Sequence, residues 1–485
     1  SHAASDFYPS PFEEAAIITI DGVGEWATAS VCHGKGKDIT ILKELTFPHS
    51  LGLLYSAFTY FLGFRVNSGE YKLMGLAPYG NAGSDEVKRF EQIIRKELID
   101  IKDDGSVWLD QKKFSYATGL RMADDALWAE LFGIERRTPE TPINQLHCDL
   151  ALAIQNITEE IVLKMALDAK KQTGSRYLCL AGGVALNCVA NGKLLKSGVF
   201  DGIYIQPAAG DAGGSLGAAL AAHHIYFDQP RMVQSPDSMK GAFLGPEVQE
   251  YDIEKLIRRY KAKAEKMADD VLFDTVASEL ADGKVAGWVQ GRMEFGPRAL
   301  GNRSILGDPR SGEMQKKLNL KIKYRESFRP FAPSVLEEDG PDVFDLHTSS
   351  PYMLIVAPVH EKLRNPLPED YHLRDLRGKL YEKRSALPAI THVDYSARVQ
   401  TVSESTNPRY HRLISAFKEK TGVGVVVNTS FNVRGEPIVC TADDAYRCFM
   451  RTEMDILVIG NHIFHKTDQP HWPEGKEWEE EFTLD

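Results

Sequence analysis

The chain has 485 residues, a formal net charge of −11, 43% hydrophobic and 26% charged residues. That length accommodates two or three domains with ample core, and the composition is that of a globular protein. The acidic balance excludes a general nucleic-acid binder, and the absence of an apolar run of about 18 residues excludes a membrane-spanning helix.

The first residues lack the charged-then-apolar pattern of a secretory signal. The six cysteines, Cys32, Cys148, Cys179, Cys188, Cys440 and Cys448, contain no CxxC pair. They read as reduced thiols, and a cytoplasmic location is expected. The first predicted unit is an antiparallel meander. Ala15–Ile20 is a β-rich apolar run, Asp21-Gly22 a turn, Glu25–Val31 a second strand and Asp38–Leu42 a third. The segment FPHSLGLLYSAFTYFLGF reads as an apolar helix, and GEYKLMGLAPYG as a short helix stopped by Pro78 and Gly80. Residues 84–140 carry charge and little periodicity, and are expected to be an irregular insertion. Asn144–Lys171 is predicted to be a long amphipathic helix, with Leu146, Leu150, Ile154, Ile157, Ile161, Met165 and Leu167 on its apolar stripe.

Two strand–glycine–helix passages follow. The first runs through Gly182-Gly183 and the second through a loop around Gly210 and Asp211. Such a turn aims free N–H groups and a helix dipole at an anion. Two in succession suggest a nucleotide site, although glycine also serves plain strand-to-helix packing. Residues 225–245 are rich in Pro, Ser and Gly and read as a linker, so the domains are drawn at 1–235 and 236–485. Beyond it, helices are expected at Asp252–Ala264, Asp270–Leu280, Asn407–Lys420 and Thr441–Met450. Strands are expected at Lys284–Gln290, Tyr352–Val356, Arg398–Val402, Val423–Val427, Ile456–Ile459 and His462–Lys466.

Between the second helix and the last strands lies Gly291–Ser334, with ten Lys/Arg against four Asp/Glu. A local reversal of sign in an acidic chain points to an anion site. Arg298 and Arg303 sit beside Gly296 and Gly301, where a backbone can approach a ligand. Lys323, Arg325 and Arg329 crowd a segment that Pro330 and Pro333 keep from forming a long helix. Arginine forks match phosphate and carboxylate oxygens, and lysine adds a compact charge. A solvated basic face or a set of structural ion pairs is the other use of such a cluster.

Six motifs together resemble the O-carbamoyltransferase family of antibiotic and nodulation-factor biosynthesis, of the tobramycin carbamoyltransferase type. They are MGLAPYG (74–80), LAGGVALN (180–187), GDAGGSLGAA (210–219), GPRALGNRS (296–304), KYRESFRPFAPS (323–334) and NTSFNVRGEPI (428–438). The resemblance implies an α/β protein. Its first domain would be actin-like, related to the threonylcarbamoyladenosine transferase. Its second would be a YrdC-like α/β domain with a twisted open sheet. It further implies a two-step reaction. The YrdC-like domain turns carbamoyl phosphate and ATP, with magnesium, into carbamoyladenylate and releases pyrophosphate. The first domain then moves the carbamoyl group to a hydroxyl of a small natural product and releases AMP.

By motif, the YrdC-like site of the family falls on Lys323, Arg329, Ser430 and Asn432. Arg298, Arg303 and Arg398 match further phosphate- and nucleotide-contacting arginines. Carbamoyl phosphate and ATP bring several negative charges together, so such a site needs dense positive charge. Ser430 and Asn432, at i and i+2 of an extended segment, are expected to face one ligand together. In the first domain the resemblance places nucleotide contacts on Gly182, Gly183, Asn187 and Gly210. It places a metal site on His2, Asp21 and Asp211, with a further histidine ahead of Ser1. One imidazole and two carboxylates suit iron or manganese. Catalytic roles are expected for Lys323, Arg329 and Asp211. The partners expected are carbamoyl phosphate, ATP and a hydroxyl-bearing acceptor, with no nucleic acid and no membrane, and a homodimer is left open. The competing reading from the residues is a non-catalytic actin-like nucleotide-binding or scaffold protein. A carbamoyltransferase acting on a protein thiol is disfavoured, because that class adds zinc-finger cysteines that this chain lacks. Residues 84–140 and 343–395 are the expected determinants of acceptor choice.

Overall fold

The computed structural model describes residues 1–325, 328–371 and 374–473. Glu326 and Ser327 of the KYRESFRPFAPS motif, and residues 372–373 of the region 343–395, lie outside the described residues. The chain divides into two compact units. The first holds Ser1–Ser238 with a short later segment ending at Lys379, and the second holds the remainder. Both are mixed α/β structures built on open sheets.

The first unit is organised by the apolar strand Glu14–Ile20, buried along nearly its whole length. It pairs antiparallel with Ala27–Lys35 and parallel with Tyr177–Ala181. The full sheet runs Asp38–Thr46, Ala27–Lys35, Glu14–Ile20, Tyr177–Ala181, Gly202–Ile205. Its outer meander strand, Asp38–Thr46, is largely solvent-facing and exposes Ile41 and Leu42 beside Lys43 and Glu44. The helix Gln145–Thr173 packs against the central strand. Asn144 starts it with a capping box shared with His147, and Gly174 at φ 66° stops it.

The expectation of an irregular insertion at 84–140 is overturned. That region holds the helix Asp85–Ile93, a hairpin of Ile99–Ile101 with Val107–Leu109, and the helix Asp125–Phe132. Phe90, Trp128 and Phe132 are fully buried. The Trp128 ring lies 4.9 Å from that of Phe58 and 5.4 Å from that of Phe61, on the predicted helix Leu51–Phe61. Each element is too short to show a period over the window that a pattern needs, so the aromatic core went unseen.

The second unit is built on a nine-stranded sheet. Its order is Ile355–Pro358, Ser396–Val402, Ala332–Leu336, Val425–Ser430, Arg303–Gly307, Ala286–Val289, Ile456–Ile459, His462–His465, Glu265–Lys266. The helices Asp269–Ala281 and Pro408–Thr421 cover one face. Trp288, Leu306, Leu336, Val402 and Val426 pack there against Leu272, Leu413 and Phe417. Toward the other end of the same strands this face turns polar. Ser304, Ser334, Gln400 and Asn428 each stand two residues from one of those apolar side chains, and so point the same way. The change from apolar to polar along one face marks where the candidate site begins. No helix among the described residues is long and apolar enough to cross a membrane.

Candidate active site

In the first unit, Asp21 ends the central strand. Its N–H donates to Thr28 O at 2.8 Å, and Ser50 Oγ donates to the carbonyls of Asp21 and Gly22 at 3.0 and 2.7 Å. The carboxylate is therefore mounted on a fixed turn. Its Oδ1 accepts from Gly183 N at 3.0 Å, and its Oδ2 lies 2.9 Å from His2 Nε2. Asp211 Oδ1 lies 3.9 Å from the same nitrogen. One ligand atom from each of His2, Asp21 and Asp211 falls within 4.8 Å of the others. Burial pushes the Asp21 carboxyl up, but hydrogen bonds from His2, Gly22 and Gly183 outweigh it and hold the group below its usual range. This set, one imidazole and two carboxylates at the meeting point of three elements, fits a divalent metal of the iron or manganese type.

Glycine brings the three together. A Cβ on Gly217 would lie 2.0 Å from Ser1 O and one on Gly213 would lie 2.3 Å from Ala208 O. Gly217 lets the helix Ala212–Ala221 lie against the N-terminal end of the helix His2–Phe7, which carries His2 beside Asp211, and Gly213 lets the same helix start close to the Ala208 carbonyl. Gly182, at φ 91°, would place a Cβ 2.2 Å from Ile20 O, so only glycine fits where the two strands end.

The expected nucleotide loop differs in its detail. Gly183 N donates to Asp21, Ala185 N to Gly182 O, and Asn187 N to Val184 O. Asn187 caps the helix Cys188–Ser197 by accepting from Ala190 N, and its amide pairs with Gln155 at 3.1 Å in both directions. Tyr55 OH donates to Gln155 Oε1 at 2.8 Å and completes the buried network. The amides around Gly182 and Gly183 thus turn inward, in the packing role that glycine also serves. Gly210 accepts from Gly213 N at 3.0 Å and opens the helix after Asp211.

In the second unit, Ser430 ends the strand Val425–Ser430, directly opposite Ser304. Lys323 follows the helix Met314–Lys321 and is 3% exposed. Its Nζ donates to Asn432 Oδ1 at 2.7 Å, Asn432 O at 2.9 Å, Ser430 Oγ at 3.1 Å and the Ser430 carbonyl. Ser430 Oγ donates to Asn432 Oδ1 at 2.7 Å, so the two side chains do face one point. Burial pushes the Lys323 ammonium well down, and the positive charges of Arg325 and Arg329 add to the effect. Arg329 is buried as well. The arrangement is a buried cation held by four oxygens, with two more cations close by. Arriving phosphate oxygens would relieve the repulsion among them.

Arg298 is half-buried on the segment Gly296–Gly301. Arg398, half-buried on Ser396–Val402, points to the same sheet face as Gln400, two residues on. Arg303 departs from the expectation of a phosphate ligand. It is fully buried and faces away from Ser304 and Ser430, with its guanidinium on main-chain carbonyls. Those of Asn302, Gln290, Pro246, Gly291 and Cys440 lie at 2.8, 2.9, 3.2, 3.3 and 3.4 Å. As the residue next to Ser304 in a strand, it must point to the opposite face. Its role in this structure is to tie loops together.

Sequence reasoning missed Glu294, Gln400, Asn428 and Glu436, which support the site from behind. Glu436 closes the turn bearing Asn432: its carbonyl accepts from Asn432 Nδ2 at 2.6 Å and its Oε2 from Val433 N at 2.9 Å. A Glu four residues beyond Asn432 in a Gly-containing segment was a usable turn signal. Arg398 and Gln400 flank Val399 in the strand Ser396–Val402, and that two-residue spacing was a usable sign that both take one face.

The comparisons with known proteins agree with this geometry. The family model described as "Carbamoyltransferase N-terminus" matches residues 1–220, and "Carbamoyltransferase C-terminus" matches residues 277–466. A protein of Synechocystis sp. is 57% identical over 488 residues, covering 100% of this chain and 78% of its own length. The nodulation protein NolO of Bradyrhizobium diazoefficiens is 39% identical, covering 96% of this chain and 78% of its own length. The 3'-hydroxymethylcephem-O-carbamoyltransferase of Amycolatopsis lactamdurans is 33% identical, covering 66% of this chain and 55% of its own length. The chain belongs to the carbamoyltransferase family. Its class is therefore that of a carbamoyl-transferring enzyme.

Proposed function

We propose that this chain is an ATP-dependent O-carbamoyltransferase whose two units divide the reaction. The second unit, read as YrdC-like, takes carbamoyl phosphate, ATP and water. Loss of phosphate from carbamoyl phosphate leaves carbamate. A carbamate oxygen attacks the α-phosphorus of ATP, and pyrophosphate leaves. The first unit, read as actin-like, passes the carbamoyl group of the resulting adenylate to an acceptor hydroxyl. The hydroxyl proton is lost and AMP is released. The acceptor is read as a small natural product, by likeness to the cephem enzyme.

The observation that carries this reading is the buried Lys323 held between Ser430 and Asn432 beside Arg329. Burying an ammonium carries a desolvation cost that its hydrogen bonds only partly offset, so a buried lysine is weak evidence of a purely structural role. It is suited to meeting phosphate oxygens as charge develops on them. Arg398, on the sheet face of Gln400, and Arg298, on the adjoining loop, are read as further phosphate-contacting arginines, and magnesium would accompany ATP. In the first unit, His2, Asp21 and Asp211 would hold iron or another divalent metal. Bound there, the metal would supply a positive charge that neutralises phosphate and polarises an oxygen. The chain's own part is to fix that geometry through Gly183, Gly213 and Gly217.

The test is a pyrophosphate-release assay on the full chain with ATP and magnesium. Release that requires carbamoyl phosphate supports an adenylating enzyme. ATP binding with no carbamoyl phosphate-dependent release would instead favour a scaffold.

A further inference from the structure

The segment Gly296–Gly301 has little regular structure, yet it carries Arg298. Buried side chains hold its backbone from two sides. Toward one side its amides and those that follow converge on one carboxyl oxygen. Glu294 Oε1 accepts from Leu300 N at 2.7 Å, Asn302 N at 2.8 Å and Arg303 N at 3.3 Å. Toward the other side its carbonyls meet the polar row of the sheet. Gln400 Nε2 donates to Leu300 O at 2.8 Å and Asn428 Nδ2 to Ala299 O at 3.1 Å. Gln400 and Asn428 are themselves locked: Ser334 Oγ donates to Gln400 Oε1 at 2.6 Å, and Asn428 Nδ2 donates to the same oxygen at 2.9 Å.

The backbone held this way is one that few residues tolerate. Gly296 has φ 135° and Gly301 φ 107°, and a Cβ on Gly301 would lie 2.2 Å from the Tyr410 ring. Sparsely populated conformations persist only where the surroundings over-determine them, and they gather at functional sites. The choice of anchor is also costly. Glu294 is 6% exposed, and its Oε2 has no hydrogen-bond partner among the described residues. Arg303, whose positive charge acts on it, has its guanidinium committed to main-chain carbonyls. A buried carboxyl with one oxygen unmatched is a poor core residue but an effective gatherer of amides.

We propose that Glu294 is a positioning residue: its carboxyl group holds residues 296–302 in the conformation that presents Arg298 to a phosphate group of carbamoyl phosphate or ATP. This rests on the reading of the second unit as the adenylating half. Glu294 acts through the backbone of Leu300 and Asn302. Burial favours the neutral form of its carboxyl group, so a glutamine, which supplies the same single acceptor, is a faithful substitute.

The experiment uses the full chain as wild type, Glu294→Gln, Glu294→Asp and Glu294→Ala, each also combined with Arg298→Ala. Two quantities are read: kcat/KM for carbamoyl phosphate-dependent pyrophosphate release, and amide exchange at residues 299–303 by mass spectrometry. Glu294→Ala should lower kcat/KM about 10- to 100-fold, as loss of a supporting shell does, and speed exchange at 300–303. Glu294→Asp, whose carboxyl is withdrawn by one methylene, should show a milder form of both changes and covers the case in which the alanine variant does not fold. Glu294→Gln should stay within about threefold of wild type, since the acceptor survives. In the Arg298→Ala background the Glu294 changes should cost little further activity, because both remove one function. A glutamine variant as damaged as the alanine variant, or full additivity with Arg298→Ala, would overturn the proposal. So would unchanged exchange at 300–303 in Glu294→Ala and Glu294→Asp. Should the wild type release no pyrophosphate, the adenylation reading fails, and the exchange measurement still decides whether Glu294 anchors this segment.

Discussion

Lys323 Nζ donates to both oxygens of Asn432, the side-chain Oδ1 at 2.7 Å and the main-chain O at 2.9 Å. One residue thus fixes the amine through its backbone and its amide together. The ammonium is pre-placed, and Asn432 is in turn fixed by the carbonyl of Glu436. Such preorganisation lets charge be stabilised without rearrangement at the moment of reaction.

Replacing the buried amine should separate activity from stability. Lys323→Met is expected to lower pyrophosphate release about 100-fold or more, while the melting temperature falls only modestly, because relief of the amine's desolvation offsets part of the cost of leaving the oxygens of Ser430 and Asn432 without their donor. The paired readout is scanning fluorimetry and the pyrophosphate assay. A variant with near-normal release would remove Lys323 from the site.

Metal content tests the first unit. Asp211→Ala should empty the site formed with His2 and Asp21, since too few donors remain for a hard cation. Pyrophosphate release, which the proposed division of labour gives to the other unit, should be largely kept. Elemental analysis and the assay are run on one sample, and unchanged metal would show that Asp211 is not a ligand.

Gly182 is expected to be intolerant of any side chain. Gly182→Ala forces a Cβ to 2.2 Å from Ile20 O at a positive φ. The cost should be about 2–3 kcal/mol, read as a lower urea midpoint with an unchanged slope. A midpoint within error of wild type would mean that the two strand ends can part freely.

Stability should fall with acid partly through His147. Its Nδ1 accepts from Asn144 N at 3.1 Å in the capping box, which requires an unprotonated nitrogen. Burial, with the nearby Arg137 adding to it, pulls the ring from 6.5 down to about 4. The unfolded chain therefore takes up the proton first as pH falls. The contribution is full above about pH 6.5 and is lost progressively toward pH 4, on the order of 2–3 kcal/mol in all. His147→Gln keeps the acceptor and removes the titration. Its urea midpoint should change less than that of wild type between pH 7 and 4, and equal changes would exclude His147 as the cause.

Much of this was legible in the chain. The meander and the helix from Asn144 declared themselves by period and cap, because burial of one face leaves a pattern. The joint position of Ser430 and Asn432 followed from strand geometry. The folding of 84–140 was not legible, since its helix Asp125–Phe132 is short and its strands are three residues long. Arg303 misled because charge alone does not say which face of a strand a side chain takes. One-residue alternation from Ser304 turns it inward onto carbonyls. Glu294 was invisible for the converse reason, as an acidic residue within a basic stretch reads as local neutralisation rather than as an acceptor of amides.

The division of ATP is the most direct test of the account. The full chain, supplied with magnesium, ATP and carbamoyl phosphate, is followed by phosphorus NMR. Pyrophosphate and phosphate are predicted to appear in equal amounts and only with carbamoyl phosphate present, and AMP to follow as the adenylate is hydrolysed or, once a hydroxyl acceptor is added, gives up its carbamoyl group. Formation of ADP, or turnover of carbamoyl phosphate with ATP left intact, would contradict adenylation at the Lys323 site.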